Sequence, residues 1–249
     1  MDSNIYPDEV FDFWLGFKSK VTKVVLLTAD SLHAEIIAKN MDNYKKYAEG
    51  RGSTTFLGTY KDNQIMIVSS GLGTATTAVV AECLIKKGAK VIIRVGMAGS
   101  ISDEINIGDI IIVTGAVRDD GISSQYLDNK YPTISDFEVT ESLVLASRML
   151  NVPYKLGVVW THDAFFLESI EKYNYWSKLG AVCVDMETAG LFAVAQVRGI
   201  LKGAILAISE PKLRNRRLGD KKITERLDES IRKEGMIALE AANLLIKRI

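Results

Sequence analysis

Histidine and cysteine are scarce in this chain, with two of each in 249 residues. With His33 and His162 alone, a histidine-rich metal centre is excluded. Cys83 and Cys183 sit far apart in apolar segments. They read as two buried thiols in a reducing compartment rather than as a disulfide or a metal pair. Net charge is missing as well, since 31 basic and 31 acidic side chains cancel. That balance leaves no electrostatic footprint for a nucleic acid or a membrane surface, and a small anion can be held only by a local constellation. No apolar run approaches the roughly 20 residues needed to cross a bilayer. The opening MDSNIYPDEVFDFW is acidic and aromatic, unlike a signal or transit peptide, so a cytoplasmic location is expected. There is no linker rich in Pro, Gly or Ser and no internal repeat. Residues 1–249 are therefore expected to form one domain, with 1–22 as an N-terminal extension.

What is present is an alternation of short β-branched runs and longer helical patterns. Lys23–Thr28, Thr54–Tyr60, Gln64–Ser70, Val91–Val95, Ile110–Val117, Tyr154–His162, Ala181–Met186 and Lys202–Ile208 read as strands. The second and third form a hairpin around Lys61-Asp62-Asn63. Helices are expected through Leu32–Ile37, over Ala75–Lys87, Glu138–Leu150, Ser169–Leu179 and Glu187–Arg198, and from about Ile223. The last places Leu227, Ile231, Ala238, Ala242 and Leu245 on one face. Asp119–Asp136 reads as a surface loop, and the basic stretch Pro211–Lys222 as a mobile one. The pattern predicts an α/β fold: a single-domain three-layer α/β/α with a mixed central β-sheet.

In such sheets ligands sit beyond the carboxyl ends of strands, and several of these ends carry unusual residues. Arg94 stands near the end of an apolar strand, where a charge is rarely buried without a partner. It is either a guanidinium clamping an oxyanion by paired hydrogen bonds or half of an internal ion pair with Asp109 or Glu187. Gly71-Leu72-Gly73, Gly96 and Gly99 either form turns or bring backbone amides close to a ligand. Asp185-Met186-Glu187 sets two carboxylates on the same side of a strand end. They serve as helix-start acids or accept hydrogen bonds from the vicinal hydroxyls of a sugar. Phe165-Phe166 packs in the core or offers an aromatic wall to a base.

Taken together, GTYKDNQIMIVSSGLG, IIRVGMAGS, INIGDIIIVTGAVRDDG, SDFE at Ser135–Glu138, HDAFF and VDMETAGLFAVA resemble the nucleoside phosphorylase family. The family includes hexameric purine nucleoside phosphorylases, uridine phosphorylases and related nucleosidases. The resemblance runs from about Lys23 to the end. It implies that Arg94 clamps phosphate and that Arg51 is lent to the phosphate by a neighbouring subunit. It implies that Met186 and Glu187 hold the ribose, with Asp185 beside them, and that Phe165 lies at the base. Glu210 falls where purine-specific members keep an acid that protonates the base, with Arg226 as its assistant. Nucleoside and inorganic phosphate are the implied partners, with no metal or organic cofactor, in a homo-oligomer that is a dimer or a trimer of dimers.

The chain also departs from the family pattern. Where relatives carry Gly-Asp-Pro and then arginine in the first phosphate loop, it reads Ala29-Asp30-Ser31-Leu32-His33. Met97 replaces a hydroxyl residue, and no histidine precedes His33 to serve a neighbouring site. Asp185 stands where Glu is usual, and Glu210 where Asp is usual. Leu167–Lys172 lacks the Gln and Arg that uridine-specific members use, so Glu210 tilts the reading toward a purine. Phosphorolysis is the leading expectation. A nucleosidase using water on the same scaffold and a nucleoside-binding relative with little catalysis are the alternatives.

Overall fold

The computed structural model describes residues 6–211 and 221–249, and the side chains of 221–224 are outside that description. The stretch Pro211–Lys222, expected as a mobile loop, lies almost wholly outside the described residues. Ten strands and eight α-helices are seen among the described residues. The helices are α1 (Asp8–Leu15), α2 (Ser31–Ala38), α3 (Thr74–Lys86), α4 (Ser123–Tyr126), α5 (Phe137–Met149), α6 (Ile170–Lys178), α7 (Thr188–Arg198) and α8 (Lys221–Ile246). The strands are β1 (Val24–Thr28), β2 (Asp42–Glu49), β3 (Thr54–Tyr60), β4 (Asn63–Ser69), β5 (Val91–Ser100), β6 (Ile110–Asp119), β7 (Thr133–Ile134), β8 (Lys155–His162), β9 (Ala181–Asp185) and β10 (Leu201–Glu210).

All ten strands belong to one mixed sheet. Its main path runs β10-β6-β8-β9-β5-β1-β4-β3-β2, with β7 on β6. The sheet also curls on itself, because β10 pairs parallel to β5 as well as antiparallel to β6. One end of the path is thus closed into a barrel-like ring, and the other is an open wing ending in β2.

Strands buried on both faces carry apolar residues at every position, and alternate side chains enter opposite layers. Along β1, Val25 and Leu27 pack toward α1, α3 and α7, whereas Val24 and Leu26 pack toward α2, α5 and α8. A third cluster gathers Trp160, Tyr173 and Val184 around α6. Burial of each such Leu, Ile or Val contributes about 1.5–3 kcal/mol. The α1 helix of the N-terminal extension joins this core through Phe11 and Leu15. Both cysteines are free and buried, and burial above all pushes the Cys83 thiol up to about 12.

Several boundaries differ from the sequence reading. β5 continues past Val95 to Ser100, because Gly99 and Ser100 pair with Val184 and Cys183 while β10 follows the strand alongside. The glycine run is therefore extended backbone inside the sheet, not a turn after it. β2 was not expected. Its sequence, DNYKKYAE, has no apolar alternation, and it survives as an exposed edge strand with two register shifts against β3, a charged and irregular edge of the kind that discourages further pairing. The expected surface loop Asp119–Asp136 contains α4 and β7, pinned by Arg118, whose guanidinium donates to the carbonyls of Ser123, Leu127, Asp128 and Tyr131.

Close packing between α5 and β10 depends on Gly203, where a Cβ would lie 2.4 Å from Val139 Cγ1. Gly203→Ala is expected to lower stability by about 1–3 kcal/mol, read as a lower urea midpoint at unchanged slope.

Candidate functional site

The carboxyl ends of β1, β5, β9 and β10 converge on a cleft of about 240 Å³. Asp30 enters it from the turn after β1, where its carboxylate accepts the His33 N–H at 2.8 Å and caps α2. β5 contributes Arg94 and the backbone of Gly96–Gly99, β9 and its following turn contribute Asp185, Met186 and Glu187, and β10 contributes Ser209 and Glu210. Phe165 and Glu168, from a 3-10 turn (Phe165–Leu167) and the residue after it, close another side.

At the centre is a charge cluster. Arg94 is 3 % exposed. Its Nε donates to Asp185 Oδ2 at 3.0 Å and to Thr188 Oγ1 at 3.2 Å, and its Nη2 donates to Glu187 Oε2 at 2.5 Å. Burial works to lower the pKa of this arginine, but the Glu187 and Asp185 carboxylates outweigh it and hold the pKa above its ordinary value. Asp185 also accepts from the Thr161 hydroxyl at 2.6 Å and from the Thr188 amide at 3.1 Å. Glu187 accepts the Gly73 amide at 2.9 Å, and burial raises its pKa against the pull of Arg94.

Gly96 is part of the same arrangement. A Cβ there would come within 2.9 Å of Arg94 Cζ and Nη1, so the bare backbone lets the guanidinium lie flat along its own strand. Of the two sequence alternatives for Arg94, the ion-pair partners are Glu187 and Asp185. Asp109 instead lies 2.9 Å from Lys155 Nζ at the other end of β6.

Another side of the cleft is built on aromatic and carboxylate groups. His162 Nε2 lies 3.0 Å from Glu168 Oε1, and the Tyr173 hydroxyl donates to Glu168 Oε2. Trp160 stacks on His162 with ring centroids 4.3 Å apart. Burial and then the nearby Glu210 carboxylate push the Tyr173 phenol up to about 12.

Asp30, His33, Arg94, Met97, Phe165, Asp185, Met186, Glu187 and Glu210 all line the cleft. Arg226 does not. It stands 59 % exposed with Nη2 4.0 Å from Asp109 Oδ1, in a separate depression beside Gly108, so the expected pairing of Arg226 with Glu210 is not formed. Arg51 is also outside the cleft, with its guanidinium over the rings of Trp14 and Phe13 at 5.3 and 5.7 Å. His33 lines the cleft but is 4 % exposed, and its Nε2 faces Glu234 Oε1 of α8 at 2.8 Å. Glu234 was missed by the sequence reading. Its signal is a carboxylate inside the apolar stripe of α8, between Ile231 and Ala238. Thr161, Thr188 and Glu168 were missed too, and nothing in their local sequence marks them. Among the described residues no group of three or more His, Cys, Asp or Glu is arranged to hold a metal ion, and no helix is long and apolar enough to cross a membrane.

This combination of a curled mixed sheet and a charge cluster at its strand ends matches a known family. A family model described as the phosphorylase superfamily covers residues 23–248, and the chain belongs to that family. It is 32 % identical over 248 residues to a uridine phosphorylase of Treponema pallidum, with 94 % of each chain covered. A purine nucleoside phosphorylase, DeoD-type 2, of Aliivibrio fischeri is 31 % identical over 223 residues, covering 88 % of this chain and 93 % of its own. The crystal structure of a uridine phosphorylase from Vibrio fischeri superposes with a TM-score of 0.84 at 32 % identity, over 90 % of this chain and 93 % of that one.

Removing one partner from a buried ion pair leaves the other charge uncompensated. Asp185→Asn is expected to lower stability by about 3 kcal/mol, measured by urea unfolding with the slope unchanged. An unaltered midpoint would mean that Glu187 alone suffices to balance Arg94.

Proposed function

We propose that the chain is a nucleoside phosphorylase that cleaves the N-glycosidic bond of a purine nucleoside with inorganic phosphate, giving free base and ribose 1-phosphate. The observation that carries this reading is the direct contact of Arg94 with Glu187 at the centre of a cleft that also holds Phe165 and Glu210. A guanidinium that can bind an oxyanion thus adjoins a carboxylate that can accept sugar hydroxyls, and both share the cleft with an aromatic ring and an acid suited to a base. Family membership, with relatives named for purine nucleosides and for uridine, supports the same chemistry.

The reaction follows from the charges that develop. Breaking the glycosidic bond builds positive charge on the ribose and negative charge on the departing base. Phosphate beside Arg94 stabilises the first, and a proton from Glu210 neutralises the second. Met186 and Glu187 hold the sugar so that attack and departure are aligned. The acid at position 210, with no Gln and Arg pair after Phe165, favours a purine over uracil.

Arg51, outside its own chain's cleft, is assigned to the phosphate of a second copy in a homo-oligomer. If so, Arg51→Ala and Glu187→Gln chains, each inactive alone, regain about a quarter of the wild-type activity when refolded together, because half of the sites in mixed dimers are intact. Failure of the mixture to recover would remove the assignment of Arg51 to the site of a second copy.

One observation favours a second reading, hydrolysis by water. Among the described residues five carboxylates line the cleft (Asp30, Glu168, Asp185, Glu187 and Glu210) against one guanidinium, and the Met97 side chain donates no hydrogen bond. Base release from inosine, adenosine, guanosine and uridine, with and without phosphate, separates the two. Release that depends on phosphate and yields ribose 1-phosphate is the expected result, and Arg94→Gln is expected to reduce kcat/KM at least about 100-fold. Release indifferent to phosphate would establish the hydrolytic reading instead.

A further inference from the structure

Among the described residues, the anion end of the cleft has a charge deficit. Arg94 is matched by two carboxylates, Asp185 and Glu187, so this trio already carries a net negative charge. Of the remaining described groups lining the cleft, His33 is the one that can become positive. Among these described groups an oxyanion entering beside Arg94 therefore meets more negative than positive charge unless a proton comes with it.

The structure contains a place for that proton. Glu234 of α8 is fully buried and its carboxylate reaches His33 Nε2 at 2.8 Å. The contact is poorly aligned for a hydrogen bond, and apart from His33 the Glu234 carboxylate faces, among the described residues, only the backbone of Ala207 on β10 as a hydrogen-bonding group. A buried carboxylate with spare acceptor capacity is costly when ionised. Burial accordingly raises the pKa of Glu234, with His33 and then Arg94 opposing. The approach is made possible by Gly235, where a Cβ would lie 2.9 Å from Ile37 Cγ1 of α2.

We propose that His33 and Glu234 form a proton-loaded anion subsite, in which Glu234 is a positioning residue that sets the charge of His33 and the oxyanion binds together with one proton. This rests on the phosphorolytic reading of the same cleft. Empty, the pair shares a single proton and is neutral, whether written as imidazole with carboxylic acid or imidazolium with carboxylate. Occupied, it takes up one proton from solvent and carries imidazolium beside carboxylic acid, a net charge of +1. No other bond is made or broken.

The groups around the pair leave the titration to it. Asp30 is committed to the amide of His33 at the start of α2. Arg94, Asp185 and Glu187 are bound to one another. β3 and β4 present Phe56, Ile65, Ile67 and Tyr60 to the α2 side, and the Tyr60 hydroxyl donates to Glu240. Glu35 and Lys39 pair with each other on the exposed side of α2. An Arg51 lent by a second copy would add charge that does not titrate in this range.

Sulfate is the probe, because its own charge is fixed where phosphate titrates. In the wild-type enzyme its inhibition constant against phosphate is expected to rise with pH, by up to about tenfold per pH unit, as one bound proton requires. Calorimetry in two buffers of different ionisation heat is expected to show about one proton taken up per sulfate. In the doubly substituted His33→Gln, Glu234→Gln enzyme, where neither group of the pair can take up a proton, the dependence flattens, the proton uptake disappears and the KM for phosphate rises, while the KM for nucleoside stays put; a merely structural loss would alter both. A flat wild-type inhibition constant, absent proton uptake, or a doubly substituted His33→Gln, Glu234→Gln enzyme with wild-type pH dependence would overturn the proposal while phosphate-dependent turnover kept the functional reading intact. Should that variant fail to fold, wild-type calorimetry decides alone. Absence of sulfate binding at every pH, together with base release that ignores phosphate, would remove the functional reading and this proposal with it.

Discussion

The rest of the structure is arranged around one buried cation. Arg94 lies near the middle of the sheet with almost no access to water, and an unpaired charge there would cost several kcal/mol. Its two carboxylate partners arrive on a single strand-to-helix turn, Asp185 at the end of β9 and Glu187 at the start of α7. That turn has to stand against β5, which is why β5 runs on through its glycines until it meets β9. The small residues of the run then have a clear reason: a side chain at Gly96 would push the guanidinium away, and one at Gly99 would press on Val184.

From this cluster, hydrogen bonds spread into the walls of the cleft. Glu187 holds the Gly73 amide at the mouth of α3. The next residue, Thr74, donates to Asp163, which also accepts the Gly121 amide. The turn before α3, the loop after β6 and the segment carrying Phe165 are thereby tied together through two carboxylates. On the other side α8 does similar work twice along its length. Glu234 faces the cleft, while Glu240 takes Tyr60 and Lys61 at the tip of the β3–β4 hairpin. Burial works to raise the pKa of Glu240, but hydrogen bonds from Lys61 and Tyr60 outweigh it and leave it lowered. Two carboxylates on one helix thus live under opposite electrostatic regimes.

Most of the sheet and the approximate helices were legible, because the apolar runs of β1, β5, β6 and β10 and the stripe of α8 are strong periodic signals. What escaped was set by non-local pairing. β2 has the composition of a loop and becomes a strand because β3 offers it an edge. The extension of β5 depends on β9, which lies far along the chain. Within the site, Arg94, Asp185 and Glu187 drew notice as charges in apolar surroundings, and Phe165 and Glu210 through resemblance. Thr161 and Thr188 are ordinary residues whose importance comes from where the fold places them. Arg226 illustrates the converse: a plausible residue type at a plausible position that the fold delivers to Asp109 instead.

The position of β10 constrains how the molecule can come into being. It fills the gap between β5 and β6, joining Leu201 to Val91 and Ala204 to Val113, and both faces of that gap are lined with Val and Ile. Until β10 has been synthesised, the inner edges of β5 and β6 expose unpaired backbone and apolar side chains to whatever else is nearby. Such an intermediate is a template for the wrong strand. Ring closure joins segments so distant in sequence that it belongs to the slow class of folding events. The chain therefore spends its most vulnerable interval with the cleft half built, and shielding from aggregation during translation bears on its yield as much as the stability of the finished fold.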